Sequence, residues 1–95
     1  MQYMNAKSLT RRKEVRSDGS IIEIVIWQLS FPLPGCNHPY KYRLAYVVDR
    51  VCVVRYDNER GKGDHRHIAG DESDYTFISL DRLLADFRSD MENRK

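Results

Sequence analysis

The 95-residue sequence has few cysteines, little net charge and no long apolar run. Its apolar stretches are far too short to span a membrane, and the N-terminus lacks the apolar core of a secretory signal. Cys36 and Cys52 form no C-x-x-C pair, so the sequence supports neither a redox motif nor a zinc motif of that kind. Lone thiols fit a reducing compartment, and we expect a cytoplasmic protein without membrane contact. A net charge of +2 does not by itself indicate a nucleic-acid partner.

The composition is that of a small globular domain with a densely charged surface. Hydrophobic residues make up 41% of the chain and charged residues 32%, which differs from the composition of a disordered tail. A chain of this length can bury one modest core. We predict a single domain over residues 1–95, with an ordered core over about residues 7–91.

The first half of the chain reads as strands separated by turns. Residues 7–16 alternate in polarity and carry many charges, which predicts an edge strand. A turn signal at Asp18–Gly19 precedes "IIEIVIWQL", a β-branched run typical of a buried strand. The proline-rich "SFPLPGCNHP" interrupts regular structure. Two further strands, "YKYRLAYVV" and "VCVVRY", leave room only for a tight turn at Asp49–Arg50, which lacks the favoured glycine.

The second half ends in a helix. "GDESDY" reads as a turn-rich loop and Tyr75–Ile78 as a short strand. Ser79 is a good N-cap. An apolar stripe with helical spacing follows, formed by Leu80, Leu83, Leu84, Phe87 and Met91. The pattern predicts an α+β fold: an antiparallel meander of four to five strands with one C-terminal helix packed on one face.

The string "RYDNERGKGDHRH", Arg55 to His67, is unusually polar for the middle of so short a chain. Its four basic and three acidic side chains nearly cancel, unlike the patch of a non-specific nucleic-acid binder. As a connection it would be long enough to suggest a function. Gly61 and Gly63 flank Lys62, a pattern that could expose backbone N–H groups to a phosphate, although it is not a Walker A motif.

"DHRH" is the part of the string that suggests acid–base chemistry. If it is extended, His65 and His67 point to one face about 7 Å apart, while Asp64 and Arg66 point to the other. Two imidazoles on one face can divide the acid and base roles at a phosphodiester, and nearby cations can stabilise the charge on phosphorus. The alternative is a metal site in which this pair is joined by Asp64, Asp57 or His38.

Each of these features also has a purely structural interpretation. Short runs of mixed charge are commonly solvated loops with local salt bridges, and His38 beside Pro39 reads as a loop histidine. Tyr40, Tyr42 and Tyr46 fit packing better than base stacking. The basic run Arg11–Lys13 fits protection of an edge strand, with a rail for phosphates as its functional alternative.

Four segments of the chain resemble the TumE family of toxins: "DGSIIEIVIW", "PLPGCNHPYKYRLAYV", "YDNERGKGDHRH" and "SLDRLLADF". The resemblance extends from about Lys7 to Phe87 and is most specific in the polar string. It implies a short cytoplasmic toxin that inhibits growth, acts on RNA and is held inactive by a partner, usually a helix-turn-helix antitoxin encoded beside it. It supplies no catalytic residues, so the roles below come from the chemistry of the side chains.

Our leading hypothesis is a metal-independent endoribonuclease without a cofactor, in which the two histidines act as base and acid. The catalytic candidates are His65, His67, Asp64, Lys62 and Arg60. The substrate-binding candidates are Arg66, Tyr56, Asn58, Asp57, Arg55, Lys41 and Arg43. The alternatives are a non-catalytic module that binds RNA or the antitoxin, and an enzyme that modifies tRNA or nucleotides. An exposed sheet face and a charged edge also make a homodimer plausible.

Overall fold

Six antiparallel strands and one helix form the fold, which a computed structural model describes over residues 6–93. The strands pair in chain order as a simple meander, β1 to β6. Their bounds are β1 Lys7–Val15, β2 Ile21–Gln28, β3 Tyr40–Val48, β4 Val51–Glu59, β5 Gly63–Ile68 and β6 Asp71–Asp74, and the helix α1 is Leu80–Glu92. The α+β meander with a C-terminal helix is therefore confirmed, but the predicted four to five strands are too few.

The polar string is a hairpin, not a connecting loop. Strand β4 continues to Glu59, and β5 begins at Gly63 and pairs back along it. Gly61 and Gly63 have φ values of 81° and 78°, which let the chain reverse within three residues. The string lacks an apolar face for two reasons. One side of this hairpin faces solvent, and the polar side chains on its other side are buried in a hydrogen-bonded network.

The remaining difference concerns the segment before the helix. Strand β6 is formed by "DESD", which lies within the predicted loop, while Tyr75–Ile78 is irregular and leaves the sheet. Tyr75 and Phe77 alternate with polar residues because both rings pack against the hydrophobic core. The predicted strand at Tyr75–Ile78 is therefore wrong: Tyr75 N–H still donates to the Asp64 carbonyl at 3.0 Å, but the rings beyond β6 are positioned by packing.

The tight turns follow from local chemistry. Asp18 accepts hydrogen bonds from the backbone N–H and the hydroxyl of Ser20, at 2.9 and 2.6 Å, in the turn between β1 and β2. Asp49 and Arg50 both adopt positive φ, 51° and 68°, in the turn between β3 and β4. Two residues in the left-handed region match the twist of a hairpin even without glycine.

The sheet has two different faces. One, the helix face, packs against α1 and includes Tyr42, Leu44 and Tyr56, with Leu83 and Phe87 of the helix buried against it. Each fully buried side chain of this size contributes about 1.5–3 kcal/mol of hydrophobic free energy. The predicted apolar stripe of α1 is thus confirmed. The helix cannot reach the other face, the open face, which carries polar side chains of β3, β4 and β5.

Candidate active site

The β4–β5 hairpin divides the predicted site residues between the two faces. Successive side chains of a strand point to opposite sides, and paired residues share a side. Asp57 pairs with His65 and lies on the open face, whereas Asn58 pairs with Asp64 and lies on the helix face. Asp57 can therefore orient His65 or His67, whereas Asp64 cannot, since its carboxylate lies on the opposite side of the sheet.

On the open face, His67 lies against an arginine–aspartate pair. Arg55 Nη2 lies 3.0 Å from His67 Nε2, and its Nε lies 3.2 Å from Asp57 Oδ2. A guanidinium can only donate, so His67 Nε2 is the acceptor and the imidazole is in its neutral form. Asp57 is also 3.9 Å from the same nitrogen. The lone pair of His67 Nε2 is therefore occupied by a hydrogen bond from Arg55, a cation that also pairs with Asp57.

His65, two residues earlier on the same face, is held in a different way. Its Nε2 donates to the backbone oxygen of Lys62 at 2.7 Å, while Nδ1 lies 3.1 Å from a Glu72 oxygen and 3.7 Å from an Asp74 oxygen. Because Nε2 carries a hydrogen, Nδ1 can donate to these carboxylates only in the cationic form. The open face therefore carries one neutral imidazole and one that can become cationic. We call His65, His67, Arg55 and Asp57 together the open-face cluster.

Glu72 and Asp74 belong to this site although sequence reasoning missed them. Both lie on β6, and the register pairs His65 with Asp74 and His67 with Glu72. The signal was available as an acidic run following the histidines. The turn-rich composition of this run, however, predicts a loop and not a strand beside the histidines.

Two of the predicted cations, Arg60 and Lys62, lie in the hairpin turn and not on the strands that carry the histidines. Lys62 is exposed and its Nζ lies 3.7 Å from Glu59, and Arg60 is exposed in the turn. The N–H groups of Gly61 and Lys62 donate to the carbonyls of Pro34 and Glu59, at 2.7 and 3.1 Å, so the expected phosphate-binding nest is absent at these residues.

The strands supply other cations to the open face. Arg43 pairs with Asp57 in the β3–β4 register and is half-exposed, with a Glu23 oxygen 4.0 Å away. Lys41 is committed elsewhere, since its Nζ donates to the backbone oxygen of Asn58. Arg43 therefore joins Arg55 as the second cation beside the two histidines on the open face.

On the helix face, His38 and Asp64 form a buried pair. His38 lies in the irregular segment before β3, as predicted for a loop histidine, but its side chain is buried, with 6% exposure. Its Nδ1 accepts from the backbone N–H of Tyr40 at 3.2 Å, which leaves Nε2–H to donate to Asp64 at 2.7 Å. Tyr42 donates its hydroxyl to the same carboxylate oxygen at 2.6 Å. Burial opposes ionisation of Asp64, but the bonds from His38 and Tyr42 outweigh it and lower its pKa.

Cys36 lies close to this pair, and one potential ligand atom each from Cys36, His38 and Asp64 lies within 4.8 Å of the other two. The proton arrangement does not suit a metal. A ligating histidine donates from its other ring nitrogen, whereas His38 Nδ1 accepts from Tyr40. Burial and the nearby Asp64 carboxylate raise the pKa of Cys36 to about 11, which disfavours the thiolate that a metal needs. The cluster is a structural polar network.

Three predicted substrate-binding residues also have structural contacts on the helix face. Asn58 is fully buried, accepts from Tyr42 N–H at 3.0 Å and donates to the Tyr40 carbonyl at 2.6 Å. Tyr56, also fully buried, donates its hydroxyl to Asp90 of α1.

Arg66 completes the contact between sheet and helix. Its Nη1 lies 3.6 Å from Asp90 and donates to the Tyr56 hydroxyl at 3.5 Å. The hydrogen bond to Tyr56 is the main cause that raises the pKa of Arg66. Neither Tyr56 nor Asn58 presents a surface to a base, and together with Arg66 they stabilise the packing of sheet and helix.

The fold and the site define a class of protein: a small sheet with one helix-covered side and an open side that carries two histidines among arginines and carboxylates. A family model described as Toxin TumE matches residues 2–95. The chain therefore belongs to the TumE toxin family. No curated protein and no solved structure matches it. No helix within residues 6–93 is long and apolar enough to cross a membrane.

Proposed function

We propose that this toxin is a cytoplasmic endoribonuclease whose active site is the open-face cluster. The observation that carries the proposal is the contact of His67 Nε2 with Arg55, because it combines a neutral imidazole with a cation that can move to a phosphate. The second histidine of the same strand, His65, lies on the same face. Membership of a toxin family supports a harmful activity held in check by an antitoxin, for which we propose a helix-turn-helix protein.

In the proposed reaction the ribose 2′-OH attacks the adjacent phosphorus. Binding of the phosphate draws Arg55 away from His67, whose Nε2 then takes the proton of the 2′-OH as general base. The new O2′–P bond forms as the P–O5′ bond breaks, and cationic His65 gives its Nδ1 proton to the leaving O5′. In the free protein this nitrogen is buried beside Glu72, so the bound RNA must uncover it. The products are a 2′,3′-cyclic phosphate and a 5′-hydroxyl. Arg43 and Arg55 stabilise the charge on the phosphorane.

The experiment measures cleavage of a labelled RNA by purified His65→Gln protein, His67→Gln protein and the double variant. Glutamine at His67 can still accept from Arg55, and glutamine at His65 can still donate to the Lys62 carbonyl, but neither can transfer a proton. We expect cleavage to fall about 10²–10⁴-fold for each substitution. Arg50→Gln removes an exposed cation in the turn between β3 and β4, at the far end of β4 from the hairpin turn, and serves as the matched control.

Cleavage by His65→Gln, His67→Gln protein at the wild-type rate would refute the acid–base assignment. Activity that a chelator abolishes and zinc or manganese restores would replace it with metal chemistry. The two histidine side chains are only 15% and 24% exposed, and this burial favours a second candidate, a module that binds RNA or the antitoxin without turning it over. Salt-dependent RNA binding without product would support that candidate.

A nucleotide-modifying enzyme remains the third candidate because of one pocket. A pocket of about 310 Å³ lies beside the glycine-flanked turn and is lined by Gly35, His38, Lys62 and Asp64 among others. Product analysis with labelled nucleoside triphosphates separates this activity from RNA cleavage. We expect no nucleotide product, since the N–H groups of Gly61 and Lys62 donate to backbone carbonyls and offer no phosphate nest.

A further inference from the structure

The outer edge of β1 is a strand edge that no strand within residues 6–93 covers. Strand β1 is nine residues long and pairs with β2 on one side only. It contains no proline to block pairing, and all but one of its residues are exposed. Such an edge presents backbone N–H and C=O groups to any extended segment that fits beside it.

The side chains of β1 are strongly basic. It contains four basic residues and one acidic residue, and Arg16 follows directly. Arg11 and Lys13 face the open side, since they pair with Val25 and Glu23 of β2. A segment added here would place its open-side residues beside these two cations, so acidic side chains are favoured there.

The other side of the same edge borders an apolar groove. The groove lies between β1, β2 and α1, has a volume of about 160 Å³ and adjoins a wider one of about 510 Å³. The smaller groove is lined mainly by apolar side chains, together with Arg12, Glu14 and Arg88. The wider groove is lined mainly by charged side chains, and Ile22 and Met91 line both. A segment added to β1 would direct every second side chain to this side, next to Arg12 and Glu14 of β1, where apolar side chains can reach the apolar part of the groove.

We propose that β1 and this groove together form a docking site for an extended segment of a partner protein in which apolar and acidic residues alternate. The segment adds as a seventh strand, directs its apolar side chains toward the groove and pairs its carboxylates with Arg11 and Lys13. This proposal is independent of the endoribonuclease proposal, because it concerns a different edge of the sheet and requires no chemistry.

A second copy of the chain fits this site poorly. Pairing of β1 with β1 of another copy would oppose two strands that each carry the excess of basic residues. The free edge of β6 is acidic, but it is four residues long, "DESD", and has no apolar side chain for the groove. The charges on β1 therefore deter self-association while they select an acidic partner. RNA would satisfy the cations but would leave the groove and the backbone edge unused.

The test uses a nine-residue peptide in which Val or Leu alternates with Glu, matched in length to β1. We expect it to bind, to slow hydrogen exchange at alternate amides of β1 and to leave exchange in β6 unchanged. The same peptide with Gln in place of Glu, and toxin carrying Arg11→Glu and Lys13→Glu, should each bind at least about tenfold more weakly. The matched control carries Arg50→Glu and Arg60→Glu, two exposed turn positions away from β1.

Absence of binding at millimolar peptide, or protection at β6 instead of β1, would overturn the proposal. It would also fail if sedimentation showed copies associating through β1, or if Arg11→Glu, Lys13→Glu protein lost binding to an RNA oligonucleotide but kept the peptide. Both substitutions are at exposed positions, and an unchanged melting temperature confirms that the variant is folded.

Discussion

Each face of the sheet carries a histidine beside an aspartate, but the two pairs differ in how completely their polar atoms are satisfied. On the helix face, His38 donates to Asp64 at 2.7 Å, with both side chains less than 10% exposed. On the open face, His67 and Asp57 are 3.9 Å apart and Arg55 contacts both. Full satisfaction fixes the buried pair in place, whereas the open pair depends on an arginine that a ligand can displace. The same residue types therefore favour stability on one side and chemistry on the other.

The largest effect that this contrast predicts is on RNA cleavage by Arg55→Ala protein. Removing Arg55 takes away a cation aimed at the phosphate, and loss of one such group typically lowers the rate by about 10²–10³-fold. The pair with Asp57 is partly exposed, so we expect the free energy of unfolding to change by less than about 1 kcal/mol. Initial cleavage rates and urea unfolding measure the two quantities. An unfolding change that accounts for the lost activity would assign Arg55 a structural role.

Asp64→Ala should show the opposite behaviour. It leaves the buried His38 Nε2–H and the Tyr42 hydroxyl without their acceptor, which costs about 2–3 kcal/mol of unfolding free energy. In a domain of this size that lowers the melting temperature by about 10 °C. Cleavage per folded molecule should remain at the wild-type level. Asp74→Ala, at a side chain that is 97% exposed, is the control and should change stability by less than about 0.5 kcal/mol. Equal effects of both substitutions would contradict the contrast.

Acidification should remove the contribution of Asp64. Its pKa is lowered in the folded protein, so it stabilises the fold at pH values above the ordinary aspartate pKa of about 3.9. That contribution is lost as the pH falls through the lowered pKa, where the folded state also takes up the proton. The difference in unfolding free energy between wild type and Asp64→Asn should be constant near neutrality and shrink below about pH 4. A difference that stays constant to lower pH would show that ionisation of Asp64 is not what stabilises the network.

The sequence contained enough information for most of the fold and for only part of the site. Strands β1 to β3, the start of β4 and the stripe of α1 follow from local periodicity, which burial on the helix face enforces, and the turn at Asp18–Gly19 follows from its residue types. The β4–β5 hairpin was missed because polarity on both faces mimics a loop. Its helix-face polar groups are buried only through partners distant in the chain, such as His38 for Asp64. Register decides which histidine meets which carboxylate, and the sequence pattern specifies register only weakly in strands that are polar on both faces.

Tyr56→Phe tests the helix face with a smaller change. The substitution removes the hydroxyl that donates to Asp90 and accepts from Arg66, while the ring keeps its packing. Because Arg66 still lies 3.6 Å from Asp90, the carboxylate is not left alone. We expect a loss of about 1 kcal/mol in unfolding free energy and no loss of RNA cleavage. A specific loss of cleavage in a fully folded variant would return Tyr56 to the substrate site.

The smallest effect is expected for Glu72→Gln on the open face. Glu72 lies 3.1 Å from His65 Nδ1, but its side chain is 52% exposed, and such pairs contribute little in water. We expect the free energy of unfolding to fall by at most about 0.5 kcal/mol, with a still smaller difference at high salt because exposed charges are screened. Urea unfolding at low and high salt measures this. A loss as large as that expected for Asp64→Ala would mean that His65 is fixed as firmly as His38. The open face would then be a second structural network, and a site for proton transfer would have to be sought elsewhere.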